Sequence, residues 1–546
     1  MRIILIDGYI DEPACLGVPP FISPSIRYIA GAILSHKDHQ VQYYTIDHLR
    51  HQGLPRGDLY VVVAGTTVPG KYLGGKPVTP GELQIFFKHI TTPSILTGPA
   101  ALHGFHRQHK LDDVFDYVIT GDASLSLNYF LQEGHLENLT RDSPHDIQDF
   151  AVHGAHIVTQ HPNYPRVIAE LETYQGCFRS FLGGCSFCTE PLKGPPSFRE
   201  EKSIIQEVQS LYQQGIKHFR LGNQPCLFSY KAKGIGEKEF PQPNPSALKK
   251  LYQGIRAVAP HLETLHMDNA NPGTLAQYPQ ECEQIARIII QYHTPGDVAA
   301  LGIESTDPHV ISINNLKVHA REALRAIELL NKVGAHRGTN GLPELLPGLN
   351  FVYGLPGESK KTYEEDYLFL HTLLEKKLLI RRINLRQVMT FPTTPLAHRK
   401  HGHCLKKYFP RHKQKIRDTI DKPMLQRITP TGTILKDAYS ESYKGNLTLL
   451  RQMGTYPLLI GVPIQLALGH KMDIKITSTG QRSVTGVPYP LNINTANLSL
   501  LQALPGVGRK RAQRLLINRP FSTPVGIIKA LDDKKIAQDI LSYITI

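Results

Sequence analysis

Short apolar runs alternate with amphipathic stretches over residues 1–150. Ile26, Ile29, Ile33 and Leu34 share one helical face between the first two runs. Strands that alternate with helices in this way predict an α/β domain with a parallel, doubly wound sheet. The five apolar runs lie at 3–6, 41–45, 59–64, 94–97 and 117–120. Ligands bind such sheets at the carboxyl ends of the strands, near Asp7-Gly8, Gly65-Thr66-Thr67 and Gly98-Pro99.

The alternation continues as six strand–helix repeats within residues 160–397. Six repeats predict a partial (βα)6 barrel, and α/β barrels build their active sites at the carboxyl ends of the strands. One of the intervening helices carries the apolar stripe Ile204, Ile205, Val208, Leu211 and Tyr212. The strands are expected at 167–172, 216–221, 264–268, 298–303, 349–354 and 383–388.

The pattern changes beyond residue 397. Residues 398–434 form a basic segment, and their first part, 398–417, has no acidic residue. Residues 435–490 are rich in β-type runs separated by glycines, which predict a small β-barrel. Residues 491–546 contain two short helical patterns on either side of Pro505-Gly506-Val507-Gly508. The expected domains are therefore 1–150, 160–397, 398–434, 435–490 and 491–546.

Composition narrows the class of protein. A chain of 546 residues is too long for one core, and 41% hydrophobic residues is ordinary for a globular protein. No apolar run reaches the roughly 18 residues of a membrane span, and seven mostly isolated cysteines argue against a disulfide framework. We therefore expect a cytoplasmic protein without membrane contact. The net charge of +14 favours a polyanionic partner, although ordinary surface charge would also explain it.

Three of the seven cysteines lie close together, with the spacing C-x7-C-x2-C at Cys177, Cys185 and Cys188. Thiolates are good ligands for iron–sulfur clusters, which usually take four of them. Three local cysteines would leave one iron open to a substrate or cofactor. A structural zinc site is an alternative, but it needs four ligands, and the remaining cysteines are isolated. Three unligated core cysteines are another.

The cysteine loop, with Phe187 inside its final C-x-x-C, resembles that of radical SAM enzymes. The resemblance implies a 4Fe–4S cluster held by Cys177, Cys185 and Cys188, with S-adenosylmethionine on the fourth iron. It also implies reductive cleavage of S-adenosylmethionine to a 5′-deoxyadenosyl radical. The first gap is four residues longer than in the common C-x3-C-x2-C pattern, so part of the loop must be extruded. Gly183 and Gly184 would ease that excursion.

Polar residues at the strand ends match positions that this family uses for the cofactor. The sequence Gly302-Ile303-Glu304-Ser305 resembles the G-x-E-S of the family, and Gly354 begins a G-L-P-G-E stretch. Each such residue could also be a helix cap, a turn residue or a solvated side chain. The candidate cofactor-binding residues implied by the resemblance are Phe187, Asn223, Gln224, Asp268, Glu304, Ser305, Asn350 and Gly354.

In order and position, residues 1–150 resemble the cobalamin-binding-type Rossmann-like domains that precede many radical SAM cores. The D-x-H-x-x-G signature of the histidine-ligating type is absent, so cobalamin is an open alternative and not an expectation. The three further cysteines of methylthiotransferases are also absent, because Cys15 stands alone. This counts against sulfur insertion by their route.

Residues 491–531 resemble a helix-hairpin-helix motif. Bare amides at the start of the second helix, together with the helix dipole, would bind a phosphate. We expect Gly508 to have a positive φ that a β-branched side chain would resist. A hairpin for protein interaction is the alternative. The candidate nucleic-acid-binding residues are Gly506, Gly508, Arg509, Lys510, Arg511 and Arg514.

Two other segments support the same expectation. Residues 435–490 loosely resemble the TRAM domain of RNA-modifying enzymes. The basic segment contains Tyr408 and Phe409, and basic residues with aromatics suit a phosphate backbone with unstacked bases. A solvated linker helix would give the same composition.

These observations favour an archaeal-type radical SAM enzyme that modifies RNA, either tRNA or rRNA, with an electron donor such as ferredoxin or flavodoxin. The first alternative is a radical SAM enzyme, with or without cobalamin, that acts on a small molecule or a protein. The second is a non-catalytic nucleic-acid-binding metalloprotein. The sequence leaves the modified atom and the oligomeric state open.

Overall fold

The structure is a computed structural model that describes residues 1–9, 20–66, 75–399 and 407–546. Cys15, Thr67, Lys400, Cys404 and Lys406, which belong to segments with sequence-based expectations, lie outside the described residues. Within the described residues, no helix combines the length and the apolar character that a membrane span requires.

The N-terminal region is built on a five-stranded parallel sheet with the order β3-β1-β4-β5-β6. Its strands are β1 (Arg2–Asp7), β3 (Gln40–Thr45), β4 (Leu59–Val63), β5 (Ser94–Thr97) and β6 (Tyr117–Val118), and β2 (Phe21–Ile22) lies outside it. The helices are α1 (Pro24–Leu34), α2 (Ile46–Gln52), α3 (Pro80–Phe87), α4 (Pro99–Leu102), α5 (Phe105–Gln108), α6 (Ala123–Glu133) and α7 (Gln148–His153).

Alternate residues of the central strand β1 are buried on opposite faces of this sheet. Ile3 and Leu5 belong to the same core as α1, whereas Ile4 and Ile6 pack with residues of α2 and α3. A strand that is covered on both faces reads as a continuous apolar run, which is the pattern seen in the sequence. The predicted parallel α/β sheet is confirmed.

The central region holds the six expected barrel strands. The strands are β7 (Ile168–Glu172), β8 (Tyr174–Gln175), β9 (Ser197–Phe198), β10 (His218–Gly222), β11 (Thr264–Met267), β12 (Asn269–Ala270), β13 (Asp297–Glu304), β14 (Leu345–Tyr353) and β15 (Arg382–Gln387). The helices are α8 (Glu201–Gln213), α9 (Pro245–Val258), α10 (Pro272–Gln277), α11 (Pro279–Tyr292), α12 (Pro308–Ile313), α13 (Ala320–Gly334) and α14 (Lys360–Glu375).

Seven of these strands form, with β2, the two parallel sheets β2-β7-β10-β11 and β12-β13-β14-β15, while β8 and β9 pair antiparallel with each other. The third expected strand is divided at Asp268 into β11 and β12, and the carbonyl of Asp268 accepts a hydrogen bond from the amide of Ala300 at 2.8 Å. The divided strand therefore joins the two sheets. The sequence did not predict β2, which pairs with β7 and satisfies backbone groups that an edge strand would expose.

A buried charge cluster attaches the N-terminal helix α1 to the barrel. Arg27 and Arg199 both contact the carboxylate of Glu207 on α8, at 2.6 and 2.5 Å, and all three side chains are buried. Removing one member would leave an uncompensated buried charge, which is strongly destabilising. The cluster therefore fixes the N-terminal sheet on the outside of β7.

The C-terminal region contains a closed barrel with the order β16-β17-β18-β20-β19. Its elements are α15 (Tyr408–Ile416), α16 (Lys422–Ile428), β16 (Ile434–Lys444), β17 (Leu447–Arg451), β18 (Leu459–Val462), β19 (Lys471–Thr479), β20 (Ser483–Pro488), β21 (Leu491–Asn492), α17 (Leu498–Ala503), α18 (Arg509–Ile517), α19 (Pro524–Leu531), α20 (Lys534–Leu541) and β22 (Ile544–Thr545). The third and fifth barrel strands run parallel and the other pairs antiparallel.

The barrel and the helices that follow it share one hydrophobic core. Leu450 and Ile476 of the barrel belong to the same buried cluster as Leu501 and Leu515 of the helices. Tyr543, beyond the last helix, donates a hydrogen bond to the carbonyl of Ile476 at 3.0 Å. The two segments expected at 435–490 and 491–546 therefore pack as one body.

Candidate active site

The cysteine loop follows β7, at the carboxyl end of the barrel. The amide of Cys177 donates to the carbonyl of Gly194 at 3.0 Å, which anchors the start of the loop. The extra residues form one helical turn, Ser180–Leu182, and then pass through Gly183 and Gly184 with φ of +77° and +63°. A Cβ on Gly184 would also lie 2.2 Å from Pro191. Glycine is therefore required there by conformation and by space.

Two asparagines after α12 hold this loop. The side chain of Asn315 donates to the carbonyls of Leu182 and Gly184 at 3.0 and 2.7 Å. Asn314 is fully buried, and its carbonyl and side chain accept the amide and hydroxyl of Ser186 at 3.0 and 2.9 Å. The Asn314 amide group also donates to the carbonyl of Pro356 at 2.8 Å. The cysteine loop and the loop after β14 are thus fixed to the same pair of residues.

Two cationic side chains lie against the cysteines. Arg179 is buried, and its guanidinium donates to Sγ of Cys185 at 3.2 Å and to the side chain of Asn315 at 3.0 Å. Lys317 lies 3.8 Å from a carboxylate oxygen of Glu304. Burial alone would lower the pKa of Lys317, but Glu304 and the thiols of Cys185 and Cys188 raise it. Lys317 is therefore a cation beside the three cysteines.

This environment fits a cluster with thiolate ligands. Burial raises the pKa of all three thiols, that of Cys188 to about 12, so without compensation the loop disfavours thiolates. Arg179 and Lys317 supply the positive charge that would balance them, since opposite charge nearby favours the ionised form. Among the described residues, no group of three His, Cys, Asp or Glu side chains is arranged to hold a single metal ion.

The other described cysteines lie elsewhere in the barrel. Cys226 is buried, and its sulfur accepts the amide of Asn271 and the hydroxyl of Ser229 at 3.1 and 3.2 Å. Cys282 is buried on α11. Each is occupied in core packing.

Glu304 ends β13 beside the cysteine loop. A register shift between Gly302 and Glu304 gives this residue a φ of +68° and brings its carboxylate toward Lys317. A Cβ on Gly302 would lie 2.4 Å from the Glu304 carboxylate and 2.5 Å from the Lys317 amine. Burial raises the pKa of Glu304, and Lys317 opposes that shift. A strained carboxylate held against a cation is typical of functional sites.

The candidates that follow β10 contact the end of β7. Asn223, with a φ of +55°, donates to a carboxylate oxygen of Glu172 at 3.1 Å. The buried side chain of Gln224 accepts the hydroxyl of Thr173 at 3.2 Å. Both residues lie at the carboxyl end of the barrel, where the sequence pattern predicted them.

The remaining cofactor candidates, Phe187, Gly354, Asn350 and Ser305, all contact neighbouring residues. Phe187 packs with Leu355, and the amide of Gly354, where φ is +95°, donates to the carboxylate of Glu358. Asn350 accepts a hydrogen bond from the side chain of Asn384 at 3.2 Å.

Ser305 is fully buried, and its hydroxyl accepts the amide of Asp307 at 3.2 Å and donates to Asp366 at 3.5 Å. Its geometry is that of a structural residue.

Asp268, at the break between β11 and β12, contacts the C-terminal region. Its carboxylate accepts the hydroxyl of Tyr456 at 2.6 Å. Tyr456 belongs to the loop between β17 and β18, which also contacts the start of β11. Thr264 donates to the carbonyl of Met453 at 3.5 Å, and the amide of Thr455 donates to His266 at 3.1 Å. The β17–β18 loop therefore runs along the side of β11 that carries Thr264, His266 and Asp268.

The N-terminal sheet lies next to the same end of the barrel. His103, on the segment between α4 and α5, makes an edge contact with the ring of Phe391, with centroids 5.3 Å apart. Five residues further on, the amide of Leu396 donates to the carbonyl of Ser186 in the cysteine loop at 2.8 Å. The carboxyl edge of the N-terminal sheet is thus connected to the cysteine loop by one short segment.

The C-terminal candidates lie on and before α18. Gly506 has a φ of +73°, whereas Gly508 has a φ of −76° and no heavy atom within 4 Å of an added Cβ. The expectation of a positive φ at Gly508 is wrong, because Gly508 is the extended cap of α18 and Gly506 makes the turn. Arg511 donates to the carbonyl of Gly506 and pairs with Asp533 at 3.1 Å, so it fixes the hairpin. Arg509, Lys510 and Arg514 are exposed.

The sequence analysis missed Arg179, Asn314, Asn315 and Lys317. The Asn-Asn pair carried a usable signal, because asparagine after a short helix tolerates the left-handed conformation, and Asn315 has a φ of +50°. Arg179 lies two residues after Cys177, so its position inside the motif was a signal that the analysis did not use. Lys317 carried no local signal, since only the fold brings it to the cysteines.

Comparison with known proteins agrees with this site. The Radical SAM superfamily model matches residues 171–370. An uncharacterized protein of Methanocaldococcus jannaschii is 42% identical over 505 residues, which cover 89% of this chain and 93% of the relative. Another uncharacterized protein, of Archaeoglobus fulgidus, is 41% identical over 520 residues, covering 93% and 94%.

Among solved structures, the chain is similar to the cobalamin-dependent S-adenosylmethionine radical enzyme OxsB with aqua-cobalamin and S-adenosylmethionine bound. The identity is 11% and the TM-score 0.44, over 68% of this chain and 51% of the other. The chain thus spans about half the length of that protein.

Proposed function

We propose that this chain, which belongs to the radical SAM superfamily and is an enzyme that uses a 4Fe–4S cluster and S-adenosylmethionine, acts on RNA, either tRNA or rRNA. The observation that carries the proposal is the closed C-terminal barrel. Its strand order, with the third and fifth strands parallel, is the topology of the OB-fold. OB-folds bind oligonucleotides through one barrel face and two of their loops.

The position of this barrel supports the proposal. Its β17–β18 loop contacts Thr264, His266 and Asp268 along β11, so the barrel is fixed directly to the radical SAM core. Tyr456 reaches Asp268 at the carboxyl end of β11, whereas the contacts at Thr264 and at Asn340 lie where core strands begin. RNA bound to the barrel would therefore have to extend along the core to reach the cysteines. OB-folds suit single strands with unstacked bases, which is the form in which a base can enter an active site.

The helical hairpin supplies a second contact in this proposal. The exposed side chains of Arg509 and Lys510 begin α18, where free amides and the helix dipole attract a phosphate. Such a contact adds affinity without sequence information. It would hold the RNA while the barrel presents one nucleotide.

In the core, Cys177, Cys185 and Cys188 would hold the cluster, and Arg179 and Lys317 would balance its thiolates. When bound, the cluster supplies the electron that cleaves S-adenosylmethionine to the 5′-deoxyadenosyl radical, and an electron donor such as ferredoxin or flavodoxin would restore it. Glu304, Asn223 and Gln224 would contact the cofactor at the strand ends. Cobalamin remains a candidate second cofactor, tested by absorption spectroscopy of anaerobic protein incubated with hydroxocobalamin.

Mass spectrometry of the nucleosides of total tRNA and rRNA from a deletion strain tests the proposal. We expect one modified nucleoside to disappear and to return when the wild-type gene, but not a Cys185→Ala variant, is restored. An unchanged nucleoside profile would reject an RNA substrate and favour a small molecule or protein. Failure of purified, reconstituted protein to form 5′-deoxyadenosine would instead favour a non-catalytic nucleic-acid-binding protein.

A further inference from the structure

The last barrel strand, β15, presents basic side chains at the edge of the sheet. Among the described residues it pairs only with β14. Ile383 and Leu385 are buried in the main core, and the alternate residues Arg382, Asn384 and Arg386 therefore lie on the opposite face. The Asn384 side chain contacts Asn350 of β14 at 3.2 Å, on the side of the sheet that faces the barrel interior.

Two other elements lie near this edge, because α15 is bonded to the neighbouring strand β14 through His412 and the hydroxyl of Tyr353 at 2.8 Å. The β19–β20 loop contacts the helical segment after α15, because the side chain of Gln481 donates to the carboxylate of Asp418. The chain neighbours of this pair are Arg482 and Arg417, so the contact brings two more arginines together. The β19–β20 loop connects the fourth and fifth strands of the C-terminal barrel, and in OB-folds the corresponding loop contacts nucleic acid.

The basic groups from these elements are close enough to affect one another. Burial, and then the charges of Arg382 and Arg482, lower the pKa of Arg381 to about 10. Burial also lowers the pKa of Lys413, with further contributions from Arg417, Arg482 and Arg386. The carboxyl of Asp421 lies near Arg482 and Arg417, but burial raises its pKa to about 6, so it is a weak counter-charge.

Arg382 lies against an aromatic ring and has one buried donor without a partner. Its Nε is buried and has no hydrogen-bond partner among the described residues, and its guanidinium lies 4.3 Å from the ring centroid of Tyr456. Like charges that converge repel one another, which destabilises the free protein. A bound anion would relieve that repulsion.

We propose that the groove between the edge of β15, the α15 segment and the β19–β20 loop binds successive phosphates of single-stranded RNA. We name it the arginine groove and define it by Arg382, Arg386, Lys413, Arg417 and Arg482. This inference rests on the proposed function and adds the path of the RNA. The RNA strand would pass from the C-terminal barrel across the edge of β15. This path would place a nucleotide beside the interior of the radical SAM barrel.

The test compares binding of a fluorescein-labelled single-stranded RNA of about 12 nucleotides, measured by anisotropy at stepped KCl concentrations. The test variant carries Arg386→Gln, Arg417→Gln and Arg482→Gln. The matched control carries Lys249→Gln, Arg321→Gln and Arg325→Gln, which are exposed positions on the outer helices α9 and α13 and change the net charge equally. Melting temperatures verify that both variants fold.

Removing one phosphate-binding side chain should lower the slope of log K against log salt by about 0.7. The slope of the triple groove variant should therefore become shallower, with its magnitude decreased by about 2. The slope of the control should stay at the wild-type value. Equal decreases in both variants would show that only net charge matters and would overturn the groove. An unchanged slope in the groove variant would overturn it too, while leaving an RNA substrate intact. If the wild-type protein shows no salt-dependent RNA binding, the proposed function itself fails.

Discussion

Asn315 is the residue whose removal should separate the cysteine loop from the rest of the fold. Its side chain makes three hydrogen bonds, to the carbonyls of Leu182 and Gly184 and from the guanidinium of Arg179, at 3.0, 2.7 and 3.0 Å. A hydrogen bond contributes about 1 kcal/mol net, and one to a charged group more. Asn315→Ala should therefore reduce the free energy that favours the ordered loop by about 3 kcal/mol. That corresponds to roughly a hundredfold decrease in the ratio of ordered to disordered loop.

The assay is the iron and sulfide content of protein reconstituted under anaerobic conditions, with cluster retention followed over time in a chelator. We expect Asn315→Ala to lose its cluster faster than wild type, with little change in the melting temperature, because Cys185 and its apolar neighbours form a small cluster separate from the main core. Asn315→Asp should be intermediate, since it keeps the acceptor for Arg179 but loses both donors.

Lys377→Ala is the matched control. Lys377 has a φ of +57°, like the +50° of Asn315, but its side chain is exposed at the end of α14. It therefore reports the cost of alanine in the left-handed conformation while every hydrogen bond to the cysteine loop stays in place. If Asn315→Ala keeps the iron and the chelator resistance of Lys377→Ala, the hydrogen bonds of Asn315 do not hold the loop and the reasoning is refuted.

Three further predictions follow from named contacts. Cys185→Ala should abolish iron binding and 5′-deoxyadenosine formation, whereas Cys226→Ala and Cys282→Ala should keep both; iron loss in either of the latter would contradict the ligand assignment. His293 is buried between Asp297 and Glu344, both at 3.1 Å, and these partners outweigh burial and raise its pKa. Its stabilising contribution should be complete below its unfolded pKa of about 6.5 and be lost as pH rises through the higher folded value, so His293→Gln should remove that loss from the denaturation profile. Gly506→Val should weaken RNA binding, because φ is +73° and a Cβ would lie 3.0 Å from Ile536, whereas Gly508→Val should bind as wild type; equal effects would refute the turn geometry.

The sequence could predict what depends on local pattern. The parallel strands of the N-terminal sheet and of the six-stranded core were predicted within a few residues, because strands buried on both faces read as apolar runs and glycine or polar residues mark their ends. The cysteine loop was predicted in the same way, since Gly183 and Gly184 signal a left-handed excursion. These features need no knowledge of distant residues.

The parts that were missed depend on contacts distant in sequence. Strand β2 has two residues, too few to show a period, and forms only because β7 offers an unpaired edge. Lys317 pairs with Glu304 next to a register shift at Gly302, and no local pattern in the sequence marks that pairing. At Gly508 the sequence allowed either glycine of the turn to take the left-handed conformation, and the packing of Gly506 against Ile536 decides between them.

The connection between the C-terminal barrel and the core changes how truncations should be interpreted. Removing residues 491–546 would expose Leu450 and Ile476, because the barrel and the helices share one core. Leu458 belongs to the same core and lies two residues after Tyr456, whose hydroxyl contacts Asp268 at 2.6 Å. A truncated protein without RNA binding would therefore not identify the hairpin as the binding site. Point variants at Gly506 and in the arginine groove separate the two contacts, because each leaves the shared core in place.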